Sequence, residues 1–301
     1  MTASRPATAS RPERPSHSKR NVALVGVALL VGWAALTLEV EFGRILELPG
    51  GLARVFYEMF LAEGPEWSYL GSAVEAMLES LQIAWVGTVI GAIISLPLGF
   101  FGARNVSSGL ASNVMRQILN AIRAFPEIVL AIAIFIPIAG LGPVAGALAI
   151  GLHSVGTLGK LTAEVVEGID PGPVEAARAA GARPLQVQRW GVLPQVLPEI
   201  IAFWLYRFEI NIRSAAVLGV VGAGGIGFIL QQAIAFGRFP RAGMIILVIV
   251  VATIAVDMLS GSVRQRIIQG VGAKRVRGDE VEQPEFAEIQ GPLAPRSGVR
   301  G

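Results

Sequence analysis

The chain has 301 residues, of which 53% are hydrophobic and 16% charged, and these proportions exclude an ordinary soluble domain of this length. The absence of Cys excludes disulfides, thiolate metal sites and a cysteine nucleophile. A net charge of +3 more often reflects basic cytoplasmic loops in a membrane chain than nucleic acid binding, so no nucleic acid partner is expected. The apolar residues fall into blocks of about 17 to 25, the length of a membrane-crossing helix, which predicts an all-α polytopic membrane protein.

The chain begins with a polar tail, residues 1–21, followed by a first predicted span at residues 22–38. The tail is rich in Ser, Pro and Arg and lacks the cleavage site of a signal peptide, so we expect a disordered cytoplasmic tail. Residues 39–80 carry eight acidic residues against two arginines and include an amphipathic stretch near residues 52–61. We expect this segment on the outer side of the membrane.

The second predicted span, residues 81–101, contains Gly87 and Gly91, whose four-residue spacing would let another helix approach closely. We expect Pro97 to kink this helix. Residues 102–124 carry three arginines and no acidic residue, which predicts a cytoplasmic loop and agrees with a cytoplasmic N-terminus.

Two short spans are predicted next, at residues 125–139 and 143–158. The three residues between them are too few for any connection but a helical hairpin. A polar, helix-forming insertion at residues 160–194 then lies on the cytoplasmic side by span count. Span five begins near Leu197, and span six covers residues 242–259.

The last segment, residues 260–301, is rich in Lys and Arg, which predicts a cytoplasmic C-terminal tail. Both termini are therefore expected inside, with six spans in a transmembrane domain at residues 22–259. Arg238 and Arg241 fall on the outer side and count against this scheme, but the other loops outweigh them.

The insertion contains a helix with a strip of small residues. We expect a helix at residues 164–169, a turn at residues 170–173, a second helix from Glu175 and a third from Pro184. In the second helix Ala176 stacks over Ala180, and Ala177 over Gly181, because residues four apart share a helix face. Such a strip favours close approach of a partner; the alternative is an Ala-rich helix that packs on its own protein.

The insertion resembles the EAA loop of binding-protein-dependent ABC importers. Glu175-Ala176-Ala177, Gly181 and Leu193-Pro194 match at the spacing of that family, while Gly191 stands where the family has Ile. The resemblance implies the fold of an ABC importer permease, related to methionine permeases (MetI-like), in which this loop is a coupling helix seated in a groove of a separate ATPase subunit.

A longer resemblance, over residues 81–266, is to the permeases of phosphonate and phosphite importers (PhnE-like). The stretches that carry it are Leu152-His153-Ser154, Asp170-Pro171-Gly172 and the run from Leu193 to Ala215 with Gly222 to Gly227. The resemblance implies a homodimer in the bacterial cytoplasmic (inner) membrane, two ABC ATPase subunits that use ATP and Mg, and an extracytoplasmic substrate-binding protein. The substrate it implies is phosphonate, phosphite or a related phosphorus oxyanion.

Arg207 is the most conspicuous charge of span five. If the helix enters the membrane at Pro198, a rise of about 1.5 Å per residue places Arg207 roughly 14 Å deep, near the bilayer centre. A cation there costs at least about 2.5 to 3.5 kcal/mol on insertion scales, so it usually faces a polar cavity or a partner.

The residues near Arg207 complete a candidate substrate pathway. Glu209 and Arg213 are spaced for a helical ion pair, which would leave Arg207, beside Asn211, available to an oxyanion. Alternatively, Arg207 pairs with Asp257 or Glu127 and locks the bundle. The predicted pathway residues are the following polar side chains: Arg207, Glu209, Asn211, Arg213 and Ser214.

The glycine-rich run from Gly222 to Gly227 matches a dinucleotide-binding pattern, but no strand precedes it and no acidic residue stands where a ribose would need one. Four glycines in six residues should instead break the helix, and broken backbone in a membrane is tolerated where it is buried or lines a path. A gate is therefore predicted at Gly222, Gly224, Gly225 and Gly227; a glycine-rich packing surface or an external turn is the alternative.

No catalytic machinery is indicated. His153 has no His, Cys or acidic cluster at metal spacing beside it and is expected to pack in its helix, so no metal site is predicted. The sequence also lacks a Walker A motif and a nucleophile with its base, so the chain is expected to be no enzyme and to bind no cofactor.

Three other functions stay open. An ABC permease for another solute, such as methionine or phosphate, would share the fold and differ in the pathway residues. A secondary transporter or channel would work without an ATPase, using the intramembrane charges for ion coupling. A membrane scaffold fits the spans but leaves the spacing of the 160–194 insertion unexplained.

Overall fold

A computed structural model describes residues 17–37 and 42–281, and that part of the chain consists of helices joined by turns. The predicted N-terminal tail, residues 1–21, and the end of the predicted C-terminal tail, residues 282–301, lie wholly or largely outside the described residues. By contacts the chain divides into two compact units, residues 1–57 and 58–301.

The first unit holds helix α1, His17–Thr37, and most of helix α2, Phe42–Phe60. From Arg20 to Thr37, α1 is long and apolar enough to cross a bilayer, in agreement with the first predicted span. Helix α2 contains Pro49, and residues 47–57, the part of this helix in the first unit whose side chains are described, are all exposed.

The second unit opens with a 3₁₀ turn, Trp67–Tyr69, which leads into α3. The following helices, up to the loop predicted to couple to an ATPase, are α3 (Leu70–Gly102), α4 (Gly109–Ala124), α5 (Glu127–Leu130), α6 (Ile136–Ala139) and α7 (Pro143–Glu167). A π-helical turn, Ala131–Phe135, joins α5 to α6, so residues 127–139 form one irregular helix.

The rest of the unit carries the loop and the last spans. Its helices are α8 (Pro171–Ala179), α9 (Pro184–Val187), α10 (Leu193–Gly219), α11 (Gly225–Ala235) and α12 (Phe239–Val281), with a π-helical turn, Gln188–Val192, between α9 and α10.

The number of spans depends on how two irregular elements are counted. Four helices among the described residues are long and apolar enough to cross a membrane, and α4 with residues 127–139 makes a fifth span if this pair, bent by 84°, is counted as one. Helix α10 is about 40 Å long, enough to cross, but its charged residues lower its hydropathy. The six predicted spans are recovered when α10 and the bent pair are both included.

Several predicted boundaries were wrong because polar residues continue a helix that hydropathy alone would end. Helix α3 begins at Leu70, eleven residues before the predicted span, and α7 runs on to Glu167, so the predicted helix at 164–169 is its last turn. The predicted loop at 102–124 is largely helix α4, whose N-terminus is capped by Ser108.

Helices α3 and α7 pack closely and in parallel. A Cβ on Gly87 would lie 2.7 Å from the Ile150 side chain, and one on Gly91 would lie 2.5 Å from Cβ of Ser154. The predicted close approach at these two glycines is confirmed, since only glycine lets the two backbones come this near.

The break between α10 and α11 lies well inside the bundle. The backbone N–H of Ile226, in the first turn of α11, donates to Ser80 Oγ at 2.9 Å, and Ser80 lies about 15 Å along α3 from Leu70. The last turn of α11 instead lies beside Tyr69, at the start of α3. Helix α11 is therefore a half-length helix that runs back from the bundle interior to one end.

Candidate functional site

The loop between α7 and α10 presents the predicted small-residue face to solvent. Asp170 caps α8 by accepting the N–H of Gly172 at 2.9 Å, and Val174 packs inward. Of the residues that match the EAA pattern, Glu175, Ala176 and Gly181 are exposed and Ala177 is half-buried. The helix thus packs on its own protein through Val174 and leaves Ala176 open. It begins at Pro171, inside the predicted turn, and ends at Ala179, so the predicted stacking of Ala177 over Gly181 on one helix was wrong: Gly181, with φ +76°, lies in the turn after the helix.

The ends of this loop are tied together by Gln195. Its side-chain amide accepts the N–H of Asp170 at 3.1 Å and donates to the carbonyls of Asp170 and Gly191 at 3.2 and 2.6 Å. Helix α9 begins at Pro184, as predicted. Sequence reasoning missed the role of Gln195, because a single Gln carries no periodic signal.

Gly191, the departure from the family pattern, has a packing reason. It is buried against α8, and a Cβ there would lie 3.2 Å from Cα of Val174 and 3.3 Å from the carbonyl oxygen of Pro173. An Ile side chain would not fit this approach without moving α8. The loop is therefore built around glycine at this position.

Arg207 lies at the centre of a buried polar cluster. Its side chain is 8% exposed; Nη2 donates to Glu127 Oε1 at 2.6 Å and Nε donates to Ser154 Oγ at 3.0 Å. Asn211 Nδ2 donates to the same Ser154 Oγ at 3.1 Å and to Thr88 Oγ1 at 2.8 Å. The cluster joins α3, α5, α7 and α10 through hydrogen bonds and one ion pair.

The predicted pairing of Glu209 with Arg213 was wrong. Glu209 pairs with Arg264 of α12, and Arg213 pairs with Asp257 of the same helix at 3.4 Å. Both side chains therefore turn toward α12 rather than toward each other.

The remaining pathway candidates occupy different environments. Of the two partners considered for Arg207, the structure selects Glu127, since Asp257 is taken by Arg213. Ser214 is half-buried on α10 and takes no part in the cluster. His153 packs as expected, with Nδ1 3.0 Å from the carbonyl oxygen of Phe125 and Nε2 3.7 Å from Glu127.

The glycine-rich run breaks the helix as predicted. Helix α10 ends at Gly219 and α11 starts at Gly225, and Gly222, Gly224 and Gly225 have φ values of +94°, +78° and +70°. These left-handed conformations are open to glycine at little cost. The break therefore depends on glycine at those three positions.

Close contacts hold the broken segment in place. The carbonyl of Gly222 accepts the N–H of Gly142, in the turn before α7, at 2.9 Å. A Cβ on Gly219 would lie 2.8 Å from Cα of Gly227, so α10 and α11 touch through these two glycines. The largely exposed turn before α7 thus meets the broken segment, which packs against Ser80.

An ion pair that the sequence did not indicate joins the starts of α3 and α12. Arg241 Nε and Nη2 each donate to the Glu66 carboxylate at 3.0 Å, and the Glu66 N–H donates to the Pro240 carbonyl at 3.0 Å. The Arg241 guanidinium holds the pKa of Glu66 below its ordinary value by hydrogen bonding to the carboxylate. We call this contact the Glu66–Arg241 clamp.

The comparisons place the chain among transport proteins. Residues 95–269 match the family described as "Binding-protein-dependent transport system inner membrane component". The chain is 40% identical over 246 residues to the phosphite transport system permease protein PtxC of Stutzerimonas stutzeri, which covers 81% of this chain and 87% of that one. It is also 40% identical over 206 residues to the phosphate-import permease protein PhnE of Mycolicibacterium smegmatis, covering 68% of this chain and 38% of the relative.

The solved structures support the same architecture. An inward-facing structure of the MetNI methionine ABC transporter superposes with a TM-score of 0.61 at 21% identity, covering 67% of this chain and 99% of that one. At this level of identity the likeness shows the fold.

Proposed function

This chain belongs to the family of binding-protein-dependent transport system inner membrane components, and we propose that it is the permease subunit of an importer for phosphite, phosphonate or a related phosphorus oxyanion. The observation that carries the substrate class is the 40% identity, over most of both chains, to a phosphite transport permease. The chain is a transport subunit rather than an enzyme, and it lies in the inner membrane.

We propose that ATP and Mg are used by two separate ABC ATPase subunits, seated on the 160–194 loop of two copies of this chain. The exposed strip of Glu175, Ala176 and Gly181 supports this, because small side chains leave room for a partner groove. The ties from Gln195 to Asp170 and Gly191 would carry a push on α8 directly into α10. The loop would then act as a lever between the ATPase and the bundle.

The partners on the other face follow from the same proposal. An extracytoplasmic binding protein would deliver the substrate to the end of the bundle that holds Tyr69 and the start of α12. The loop end, with both termini, would be cytoplasmic. One copy of the chain supplies about six spans, half of the usual pathway, so we infer a second copy that completes it.

Within the bundle we propose that Arg207 acts on the substrate pathway, together with Asn211 and, at its edges, Glu209, Arg213 and Ser214. In the structure, the carboxylate of Glu127 forms an ion pair with the guanidinium of Arg207. A carboxylate and a phosphorus oxyanion present similar acceptor oxygens, so substrate would compete for the same guanidinium during transport. The turn with Gly222, Gly224, Gly225 and Gly227 would be the gate.

Growth on defined phosphorus sources tests the substrate class. A strain lacking this coding sequence, with its own phosphate importers removed, should fail to grow on phosphite or methylphosphonate as sole phosphorus source. A plasmid copy should restore growth. Normal growth of the deletion strain, together with loss of methionine uptake, would instead indicate an amino acid importer of the same fold.

A further inference from the structure

A small polar cavity lies at the end of the bundle opposite the 160–194 loop. It has a volume of about 140 Å³ and lies between the start of α3, α11 and the start of α12. Its lining combines polar, aromatic and aliphatic side chains: Tyr69, Ile229, Gln232, Ala233, Phe236, Arg238 and Arg241. Pockets for drug-sized ligands occupy roughly 300 to 1,000 Å³, so this cavity suits a small ion.

The two arginines of this cavity have different roles. The guanidinium of Arg241 is committed to the Glu66–Arg241 clamp, where it donates two hydrogen bonds, and it also lies 4.2 Å over the ring of Tyr69. The side chain of Arg238 makes no hydrogen bond or ion pair with any other residue that the structure describes. Arg238 lies close enough to Glu66 to help lower the pKa of its carboxyl electrostatically, but no hydrogen bond or ion pair among the described residues occupies its guanidinium.

The backbone around Arg238 is fixed, so its position is defined. Gly237 adopts φ +65°, and the N–H of Arg238 donates to the carbonyl of Ala233 at 2.8 Å, which closes the end of α11. The carbonyl of Arg238 accepts the N–H of Ala242 at 3.0 Å, which starts α12. The guanidinium thus extends from a rigid junction between two helices, beside the amide of Gln232.

The clamp also removes the charge that would repel an anion here. Glu66 is a carboxylate near this cavity, and the two hydrogen bonds from Arg241 go to its two oxygens. With that pair neutral, the unpaired Arg238 sets a positive local charge. Basic residues on an outer surface run against the usual charge bias of membrane proteins, which favours a functional reason for this one.

We propose that this cavity is an outer anion subsite, in which Arg238 and Gln232 donate hydrogen bonds to a small tetrahedral phosphorus oxyanion before it enters the bundle. The inference rests on the proposed function for its orientation and substrate class. A guanidinium supplies paired N–H donors that match two oxygens of such an anion, and the Gln amide supplies a further donor.

Equilibrium binding of radiolabelled inorganic phosphate to the full chain in lipid nanodiscs, at low salt, tests the subsite. We expect saturable binding to wild type, binding weakened at least about tenfold in Arg238→Gln, and an intermediate loss in Arg238→Lys, which keeps the charge without the fork. Gln232→Ala should weaken binding severalfold. Unlabelled phosphite and methylphosphonate should compete.

Arg189→Gln is the matched control, because Arg189 is an exposed arginine on the 160–194 loop and its loss changes the net charge equally. It should bind phosphate as wild type does. Absence of saturable binding to wild type, or equal binding by wild type and Arg238→Gln, would overturn the subsite. The subsite would also be overturned if Arg238→Gln still bound phosphate but no longer bound the substrate-binding protein, since Arg238 would then be a contact to that protein.

The outcome is separable from that of the proposed function. If phosphate binds at Arg238 but the growth test finds no phosphorus source that depends on this chain, the subsite stands and the proposed function fails. If growth on phosphite depends on this chain while Arg238→Gln binds phosphate normally, the proposed function stands and the subsite fails.

Discussion

Arg207 shows how one buried cation is accommodated by partners from two other elements, Glu127 of α5 and Ser154 of α7. Removing Glu127 or Arg207 alone would leave the other charge buried without its partner, which typically costs about 3 to 5 kcal/mol. A single substitution therefore confuses a structural lock with a substrate contact. Removing both charges together separates the two roles.

The double variant Arg207→Met with Glu127→Gln should fold, because neither substitution leaves an uncompensated charge. If Arg207 contacts the substrate, this variant should reach the membrane at near wild-type amounts while uptake at limiting substrate falls at least about tenfold. Immunoblotting of membranes and initial uptake rates measure the two quantities. Wild-type uptake by the double variant would show that the pair only locks the bundle.

Gly91 tests the close contact of α3 with α7. Gly91→Ala should lower the stability of the bundle by about 1 to 3 kcal/mol, because its Cβ would lie 2.5 Å from Cβ of Ser154 and the helices would have to separate. Gly71→Ala, in the same helix, has no atom within 4 Å of the added carbon and should leave the melting temperature unchanged or slightly higher. Equal melting temperatures for the two variants in detergent would contradict this packing.

Sequence reasoning identified the residues of the polar cluster better than their pairings. Arg207 and Asn211 stand out because charged and amide side chains are rare inside apolar spans. Their partners Thr88 and Ser154 carry no such signal, since hydroxyl residues are common in membrane helices. The pairing of Glu209 with Arg264 depends on the rotation of α12 against α10, which no local pattern encodes.

At the scale of elements, helix α8 carries the coupling hypothesis. Gly181 follows it with φ +76°, and a Cβ there would meet no atom within 4 Å. Gly181→Asn keeps a residue that tolerates this conformation but adds a side chain to the exposed strip, whereas Gly181→Val adds backbone strain as well.

Gly181→Asn is therefore the sharper test. The variant should accumulate in the membrane and support ATP hydrolysis by the assembled complex, while uptake per ATP hydrolysed falls severalfold. The ratio of transport to hydrolysis in proteoliposomes measures this. An unchanged ratio in both Gly181→Asn and Gly181→Val would remove Gly181 from the coupling surface.

The Glu66–Arg241 clamp predicts a pH dependence. The pKa of Glu66 is lowered in the folded protein from an ordinary value of 4.5, so the contribution of the clamp to stability is complete above about pH 4.5. This contribution to stability is lost as the pH falls through the lowered pKa that Glu66 has in the folded protein. Glu66→Gln should lower the melting temperature by about 1 to 4 °C at pH 7, because the pair is partly exposed.

The difference between Glu66→Gln and wild type should shrink as the pH is lowered below 4.5. Ser68→Ala is a neighbouring control, since Ser68 also hydrogen-bonds to Glu66 but carries no charge. A melting difference that is the same at pH 7 and at acidic pH would show that the clamp contributes no charge-dependent stability.

The sequence predicted which elements exist better than where they end. Proline and glycine signals located the start of α9 at Pro184 and the break between α10 and α11. Hydropathy misplaced the start of α3 and missed α4, because amphipathic turns at the ends of a span are as polar as loops. The π-helical turns after Leu130 and after Val187 each end two residues before a proline, Pro137 and Pro194, whose missing N–H interrupts the regular hydrogen-bond pattern, a signal that hydropathy overlooked.

At the scale of the molecule, the chain is a membrane-spanning helical bundle whose 160–194 loop leaves small side chains exposed. Its charged interior residues fit equally with a transporter that works alone, since buried ion pairs also couple ion movement. The family assignment and the exposed strip on α8 favour an ATP-driven mechanism. The two mechanisms differ in what powers the flux, which is a property of the whole assembly.

Uptake of radiolabelled phosphite into proteoliposomes decides between them most directly. The account predicts uptake only when this chain is reconstituted with its ATPase and the binding protein, with ATP on the side of the membrane that holds the ATPase. It predicts no uptake when the ATPase is inactivated. Phosphite flux driven by an ion or substrate gradient through this chain alone would contradict it.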